Sequence, residues 1–479
     1  MIFNSFEFLW LFPLIFAVYY LITMRKSLIS KYPKIGNWTL LIISYGLYIK
    51  WEPVYVLIIF GVTAITYFSA LIIEKEQAYG KKKYLIYTGT ILTLLPLLLF
   101  KYYNFLNDQL TIFLDSCGLS TGLPGLNWAM PLGISFFTFI ALGYLFDVYY
   151  QRIEAEHNWW DYMLFVSFFP AIASGPINKA KDLLPQIKSS RAFNYTQAVE
   201  GLKWLMWGMF MKVVVADRIG ALIDPLNTEL IHMSGIDNFL VSILYTFQIY
   251  CDFAGYSFMA LGVGKILGFE LINNFNRPYF SQSITEFWRR WHISLSLWLK
   301  DYVYIPLGGN RCSRIHNYWN IFVTFLVSGI WHGANWTFIV WGILHGLFQI
   351  IEKALGLQKS NSEGCIKIIR ICITFLLANF VWIFFRRPTI GDACSQIERI
   401  FTNHDLSLKL LSSQASIFYV TIGLLVVIAK DIVDEYKVKS LQLMHHKYVL
   451  IRWASYLAIV SMILFFGVFD SSQFIYVNF

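Results

Sequence analysis

Stretches of about 20 apolar residues, separated by short polar loops, recur along the whole chain and constrain its fold more than any other feature. A helix needs about 20 mostly apolar residues to cross the hydrocarbon core of a bilayer. Segments that meet this requirement are 6–24, 53–73, 84–102, 129–150, 197–215, 318–340, 366–385, 416–430 and 453–469. The chain is therefore expected to cross a membrane many times.

Shorter or weaker apolar segments lie at 38–50, 159–174, 239–251, 254–270 and 341–354. Together the two sets predict an all-α, polytopic integral membrane protein with roughly eleven to thirteen membrane-depth helices. No soluble domain, internal repeat or low-complexity tract interrupts them. We therefore expect one membrane-embedded domain over 1–479, with N-terminal helices in 1–127, a core in 128–346 and C-terminal helices in 347–479.

The composition excludes several classes of protein. Hydrophobic residues make up 57% of the chain and charged residues 14%, whereas a soluble domain carries about 25% charged residues. The net charge of +9 comes without any long basic run, which argues against a nucleic-acid partner and favours positively charged cytoplasmic loops. The six cysteines lack the spacing of metal ligands, so no metal site is expected. The N-terminal apolar segment has no basic region before it and is interpreted as a first membrane helix, not a cleaved signal.

The distribution of Lys and Arg also predicts an orientation. Positive residues cluster at 25–34 and 75–83, and none lies in the loop expected at 103–127. Because positive loops stay cytoplasmic, the N-terminus is expected to face outward. Segment 159–174 breaks the alternation, since Lys or Arg flank it on both sides and Pro170 interrupts it. A re-entrant element beside a cavity that opens to the cytoplasm would explain this pattern.

The stretch 275–314 predicts an amphipathic helix at the membrane surface. Ser283 and Glu286 form a capping-box pattern for a helix that begins near Ile284. On one continuous helix, an apolar face would be shared by Trp288, Trp291, Leu295, Trp298, Leu299 and Tyr302. His292 falls inside this stripe. It is either a histidine whose ring lies among lipid headgroups or a functional group.

The stretch 321–345 places His332 near the middle of an apolar span. A titratable side chain at membrane depth is a functional candidate. On one helix, Ser328, Asn335 and Trp336 would share its face, and the glycines at 329 and 333 would allow close backbone approach. The alternative is a helix–helix hydrogen bond through a buried imidazole.

Asp252 is a third polar residue among apolar neighbours. A carboxylate there should be paired or lie in a wet cavity. It could orient a histidine or pair with an arginine at the site, or it could form a structural ion pair between helices. No phosphate-binding, serine-hydrolase or dinucleotide-binding motif is present in a suitable context, so acid–base chemistry by histidine remains.

At these residues the sequence resembles the membrane-bound O-acyltransferase family, and within it the branch of bacterial alginate O-acetyltransferase membrane subunits. The words that carry the resemblance are PLGISFFTFIALGYLFDVY at 131–149, FPAIASGPI at 169–177, YCDFAGYSFMALG at 250–262, NFNRPYFSQSITEFWRRWHISLSLWLKDYVYIPLGGNR at 274–311 and SGIWHGANWTFIVWGILHG at 328–346. The opening MIFNSFEFLWLFP and the closing FIYVNF are also similar. Many relatives carry an acid where this chain has Phe258, so any role of that acid is in doubt here.

The resemblance implies a helical funnel with re-entrant elements and acyl transfer to a hydroxyl. The invariant histidine of the family corresponds to His332, and a second, more variable polar site corresponds to His292. The acyl group, acetyl by this resemblance, would come from a cytoplasmic thioester and reach a polysaccharide outside the membrane, with an extracytoplasmic transferase as partner. A bacterial inner-membrane location follows from the same resemblance.

The chemistry expected at these residues needs one good base. A neutral imidazole can remove the hydroxyl proton near pH 7, and a thiolate leaves with little help from an acid. We assign His332 as the base, and expect Trp331 or Asn335 to hold the hydroxyl or a developing oxyanion. His292 would position the donor or complete its passage.

A basic rim of Arg289, Arg290, Lys300, Arg311 and Arg314 suits the phosphates of acetyl-CoA or another coenzyme A thioester. Cytoplasmic loop topology alone would also explain these charges. No bound cofactor is expected, and the donor is a substrate. The alternative function is a transporter or scaffold subunit of a glycan-export complex without chemistry of its own; His332 and Asp252 would then line a proton or solute path.

Overall fold

The computed structural model describes residues 3–119, 122–172, 175–359, 362–412 and 414–469. All regular elements in these ranges are helical, which confirms the all-α class. The closing FIYVNF and residues 173–174 of the FPAIASGPI word lie outside the described residues. Contacts divide the chain into two compact units, one formed mainly by 6–199 and 263–272, the other mainly by 200–262 and the residues from 273 onward. The single domain predicted over 1–479 stays a prediction.

The first unit contains the N-terminal helices. They are α1 (Phe6–Thr23), α2 (Lys26–Lys31), α3 (Ile35–Trp51), α4 (Val56–Lys75), α5 (Tyr79–Leu97), α6 (Tyr103–Ser116), α7 (Ile134–Tyr149), α8 (Trp159–Ser167), α9 (Phe169–Ile172) and α10 (Ala180–Lys188). A π-helical turn at Leu98–Tyr102 joins α5 to α6 without a break. The loop predicted over 103–127 is therefore helical in its first half, because Leu106, Leu110 and Phe113 continue the apolar spacing.

The predicted re-entrant segment folds as two short helices in this unit. Asn158 accepts hydrogen bonds from the backbone N–H groups of Trp160 and Asp161 and so begins α8. The helix ends at Ser167, and Phe168 separates it from α9. A nine-residue helix is too short to cross a bilayer. Whether this segment enters and leaves on one side of the membrane stays a prediction.

The second unit contains the candidate site. Its helices are α11 (Tyr195–Met209), α12 (Asp217–Ile223), α13 (Gly235–Ile266), α14 (Ile284–Arg290), α15 (Ile293–Leu299), α16 (Arg314–His332), α17 (Trp336–Ala354), α18 (Gly364–Arg386), α19 (Ile390–Thr402), α20 (Gln414–Glu435) and α21 (Val449–Phe466). The ends of α11 and α13 extend into the first unit. Two π-helical segments, Phe210–Ala216 and Lys300–Tyr304, extend α11 and α15. Short 3₁₀ turns lie at Leu230–His232, Pro278–Phe280, Leu357–Lys359, Lys409–Ser412, Lys439–Leu441 and Leu443–His445.

Six helical stretches among the described residues are long and apolar enough to cross a bilayer: Phe6–Thr23, Val56–Lys75, Tyr79–Ser116, Gly364–Arg386, Gln414–Glu435 and Val449–Phe466. They carry many exposed apolar side chains, such as Trp10 in α1 and Leu450 in α21. Lipid is the solvent that such surfaces match. The chain is therefore a membrane protein with several apolar helices, and the predicted count of eleven to thirteen is not reached by this measure.

Three predicted segments have the wrong boundaries. Segments 239–251 and 254–270 were expected to be separate, yet both belong to the continuous helix α13. No proline or glycine interrupts residues 250–254, and the charge of Asp252 is matched by a buried lysine, so helix propagation continues. Segment 318–340 was expected to be one helix, yet it breaks at Gly333 and Asn335 into α16 and α17.

Candidate active site

His332 is the last residue of α16, and this corrects the predicted mid-helix position. Gly333 follows in an extended conformation. Asn335 then begins α17 as its N-cap, since its side-chain oxygen accepts a hydrogen bond from Thr337 N at 3.0 Å. Asn335 and Trp336 therefore do not share a helical face with His332. The Asn335 amide also donates to the carbonyl of Pro388 at 2.8 Å, and no observation supports its predicted role beside the substrate.

The hairpin of α16 and α17 is closed by glycines. A Cβ at Gly329 would lie 2.4 Å from the carbonyl oxygen of Phe338, and one at Gly342 would lie 2.4 Å from that of Phe325. Both distances are too short for any real Cβ contact. The predicted close approach at Gly329 is confirmed. It brings the end of α16 against the first turns of α17.

The ring of His332 is enclosed by aromatic side chains and is 3% exposed. Its centroid lies 4.9 Å from Trp331, 4.8 Å from Trp341 and 5.2 Å from Phe385, all edge-to-face. Trp341 belongs to α17 and Phe385 to α18. Rings in this arrangement hold an imidazole in one orientation and keep bulk water away. An imidazole held in this way can interact only with a group that reaches this enclosed position.

His292 lies between α14 and α15, not within one helix, so the predicted continuous amphipathic helix is wrong. Its backbone is left-handed, with φ 41° and ψ 55°, a conformation that costs a residue with a side chain roughly 1–2 kcal/mol. Asn274 holds this break, because its carbonyl accepts from Ile293 N at 3.0 Å and its side chain accepts from Ser294 N at 3.1 Å. The predicted cap by Ser283 is confirmed, since Ser283 accepts from Glu286 N at 3.0 Å.

The imidazole of His292 is fully buried. Phe253 lies 4.6 Å from it edge-to-face, and Trp331 lies 6.0 Å away. Within the described part of the chain, neither ring nitrogen has a hydrogen-bond partner. His292 lies outside the six candidate membrane spans, and burial lowers its pKa to about 3. The histidine is therefore neutral at physiological pH. Its burial also excludes the interpretation that its ring lies exposed among lipid headgroups.

Trp331 connects the two histidines predicted from the sequence. Its indole contacts both His332 and His292, and it is 5% exposed. The structure therefore brings together His332, His292 and Trp331. The indole that contacts both imidazoles belongs to one of the residues expected to touch the acceptor.

Asp252 forms an ion pair between two helical elements, which was the structural alternative considered from the sequence. Its carboxylate lies 2.6 Å from the ammonium of Lys212, which also lies 2.6 Å from Asp217. All three side chains are 1% exposed. Lys212 comes from the π-helical segment and Asp252 from α13, so the ion pair ties these elements together. One partner of Asp252 is therefore a lysine, whereas the sequence interpretation considered a histidine or an arginine.

The predicted basic rim divides into two groups. Arg290 is half-buried and donates to Glu435 at 2.9 Å and to Glu286 at 2.7 Å, so its charge is already balanced. Arg277 donates to the same Glu435 at 2.8 Å. The remaining rim residues, Arg289, Lys300, Arg311 and Arg314, are exposed.

Phe258 and His345 are two further buried residues in the second unit. Phe258, which replaces the acid found in many relatives, is 7% exposed and packs against Trp204 at 5.0 Å. The position of that acid is therefore occupied by a buried aromatic side chain in this chain. His345, which the sequence interpretation did not single out, is fully buried in α17. Its ring lies 4.9 Å from Trp341, which also contacts His332. Its position four residues after Trp341 in an apolar helix was the signal available.

Comparison with known families decides the class of this protein. The model of MBOAT, the membrane-bound O-acyltransferase family, matches residues 43–386 and so covers α14 to α18 and both histidines. The chain belongs to the membrane-bound O-acyltransferase family. The enzyme class expected from the sequence, an O-acyltransferase, is thereby confirmed.

Curated members of the membrane-bound O-acyltransferase family are similar over most of the chain. A probable alginate O-acetylase of Pseudomonas aeruginosa is 40% identical over 84% of this chain and 75% of its own length. A peptidoglycan O-acetyltransferase of Helicobacter pylori is 35% identical over 81% and 78%. A teichoic acid D-alanyltransferase of Streptococcus thermophilus is 31% identical over 59% and 67%. The names of these three relatives give alginate, peptidoglycan and teichoic acid.

Proposed function

We propose that this O-acyltransferase moves an acetyl group from a cytoplasmic thioester toward a hydroxyl of an extracytoplasmic polysaccharide, with His332 as general base. The observation that carries the proposal is the placement of His332, buried at the end of α16 within a ring of aromatic side chains. A titratable group is expensive to bury among apolar side chains, and such groups concentrate at functional sites. The names of the alginate and peptidoglycan relatives support acetyl and a glycan acceptor.

The reaction balances with one base. The hydroxyl oxygen of the acceptor bonds to the thioester carbonyl carbon while its proton passes to the imidazole of His332. The carbon–sulfur bond breaks, the thiolate leaves with the electron pair, and the proton on the imidazole is then released to the thiolate or to water. A thiolate leaves readily because thiols have a pKa near 8.5. Neutral His292, which contacts the same Trp331 indole as His332, helps to fix the acyl donor beside the base.

The donor approaches from the cytoplasmic side in this proposal, and acetyl-CoA or another acyl thioester supplies the acetyl group. The exposed cations Arg289, Lys300, Arg311 and Arg314 offer charge to its phosphates. An extracytoplasmic transferase receives the acetyl group or completes its transfer to the glycan. The protein would reside in the inner membrane of a bacterium, where the cytoplasmic donor and the exported polymer are separated by a single bilayer.

Deletion of the gene, followed by complementation, tests the proposed substrate. Extracellular polysaccharide and peptidoglycan are purified from each strain, and mild alkali releases ester-linked acids for mass spectrometry. We expect acetate released from one of these polymers to disappear on deletion and return on complementation. Unchanged ester content of both polymers would contradict the proposal. Release of an acid other than acetate would overturn the assigned acyl group.

A further inference from the structure

A third buried histidine stands next to the proposed base. His345 lies one turn after Trp341 on α17, and the Trp341 ring contacts both imidazoles, at 4.8 Å for His332 and 4.9 Å for His345. Trp382 of α18 completes the cluster, with ring centroids 5.8 Å from Trp341 and 6.2 Å from His345. We call Trp341, His345 and Trp382 the donor cluster. Its members are all less than 2% exposed.

The tautomer of His345 follows from its contact with Trp288. The indole nitrogen of Trp288 lies 3.3 Å from Nδ1 of His345. An indole N–H can only donate, so Nδ1 must accept. A neutral imidazole that accepts at Nδ1 carries its proton on Nε2. His345 therefore presents an N–H donor at Nε2.

A second contact between α14 and α17 supports the hydrogen bond from Trp288 to His345. Glu352 accepts hydrogen bonds from the backbone N–H groups of Ile284 at 2.5 Å and Thr285 at 3.0 Å. These are two of the N–H groups in the first turn of α14, the helix that carries Trp288. A carboxylate is stabilised at a helix N-terminus. Trp288 and His345 are thus held in register by their own helices.

Every polar atom that the donor cluster leaves open is a hydrogen-bond donor. Nε2 of His345 and the indole nitrogens of Trp341 and Trp382 are buried and have no acceptor within the part of the chain that the structure describes. A buried N–H without an acceptor costs about 1–3 kcal/mol, and native proteins rarely leave such groups together. Three neutral donors match a ligand atom that only accepts, namely an oxygen that bears or gains negative charge.

We propose that the donor cluster binds the carbonyl oxygen of the acyl group and stabilises the negative charge that it gains when the acceptor hydroxyl attacks. This proposal rests on the proposed function and extends it, because it assigns the other half of the reacting site. Trp341 contacts His332, so an oxygen bound there lies beside the base. Donors fixed in a dry site and aimed at developing charge are worth more than the same donors in water.

The test removes single donors, with an aromatic ring kept at each position where a donor is deleted. Trp341→Phe and Trp382→Phe each delete one indole N–H. His345→Phe deletes the Nε2 donor, and His345→Gln replaces it with an amide N–H. Trp207→Phe, at a buried tryptophan stacked on Phe210, is the matched control. His332→Ala reports on the proposed function. The readout in cells is the initial rate of ester-linked acetate accumulation on the polymer, at matched membrane levels and with the melting temperature of each purified variant.

We expect Trp341→Phe, Trp382→Phe and His345→Phe each to lower the rate on the order of 100-fold, with melting temperatures no lower than that of Trp207→Phe. Trp207→Phe should match the wild-type rate, and His345→Gln should recover part of the loss. Wild-type rates in Trp341→Phe and His345→Phe, with His332→Ala inactive, would overturn the donor cluster and leave the proposed function standing. Equal losses in His345→Phe and His345→Gln, accompanied by lower melting temperatures, would assign His345 a structural role and also overturn it. A wild-type rate in His332→Ala would sink the proposed function and this inference together.

Discussion

The imidazole of His292 and the indole of Trp331 lie 6.0 Å apart, centroid to centroid, and the same indole contacts His332. His292 reaches this position through a left-handed backbone that Asn274 holds in place. A costly conformation that is kept at a site is a sign of function. The imidazole of His292 should therefore contribute to activity, in addition to the turn that its backbone forms.

Replacing His292 by Asn or Gly tests this, because both residues accept left-handed backbone. We expect both variants to accumulate in the membrane and to lower the acetylation rate on the order of 10- to 100-fold, since the donor loses one wall of its site. The measurement is ester-linked acetate per unit of membrane protein. Wild-type rates in both variants would show that only the turn is needed.

The burial of His292 also predicts how stability depends on pH. The pKa of His292 is lowered to about 3, and an unfolded histidine titrates near 6.5. Between these values the unfolded chain binds a proton that the folded chain excludes, so the free energy of unfolding falls as pH falls from about 6.5 toward 3, by at most about 1.4 kcal/mol per pH unit from this group. The melting temperature of purified His292→Asn should therefore change less with pH than the melting temperature of the wild-type protein. Identical pH dependence in the two proteins would refute this assignment.

The ion pairs of Lys212 with Asp217 and Asp252 are expected to stabilise the fold and not to take part in the reaction. Lys212→Met would leave Asp217 and Asp252 buried without their cation, at a cost of about 3–5 kcal/mol, and should deplete the protein from the membrane. Asp252→Asn keeps the pair of Lys212 with Asp217 and should accumulate better. Immunoblots of membranes and the acetylation rate per unit of protein are the readouts. A large loss of rate in Asp252→Asn at wild-type protein level would instead place Asp252 in the reaction.

The crossing of α16 and α17 predicts sensitivity to a single methyl group. Gly329→Ala and Gly342→Ala would each drive a Cβ against a backbone carbonyl, and overpacking of this kind costs about 1–3 kcal/mol. We expect lower melting temperatures and reduced activity from both. Gly61→Ala in α4, where a Cβ would meet nothing within 4 Å, serves as the control. Unchanged stability in the two hairpin variants would mean that the helices can separate freely.

Apolar length and composition predicted the all-α membrane fold well, because burial in lipid requires continuous apolar helices. The breaks were harder to predict. Hydropathy runs straight through 329–340, whereas Gly333 and the capping residue Asn335 end one helix and start the next. The break at His292 depends on hydrogen bonds that the backbone N–H groups of Ile293 and Ser294 donate to Asn274. Asn274 is distant in sequence, so no local pattern reveals it as the partner.

Only part of the candidate site could be recognised from the sequence. His332 and His292 stand out because titratable residues are rare in apolar stretches, and they do share one indole. His345 escaped notice because its importance comes from ring contacts with Trp341 and a hydrogen bond from Trp288. Asp252 could be recognised as needing a partner, but Lys212 as that partner required the three-dimensional fold.

His332 removes the acceptor proton in the proposed reaction. The most direct measurement is the rate of ester-linked acetate accumulation in cells carrying His332→Ala, compared with wild type and with His404→Ala, an exposed histidine, at matched membrane levels. General-base catalysis contributes about 10²–10⁴-fold, so His332→Ala should lose at least 100-fold while His404→Ala matches wild type. Acetylation by His332→Ala at the wild-type rate would contradict the account.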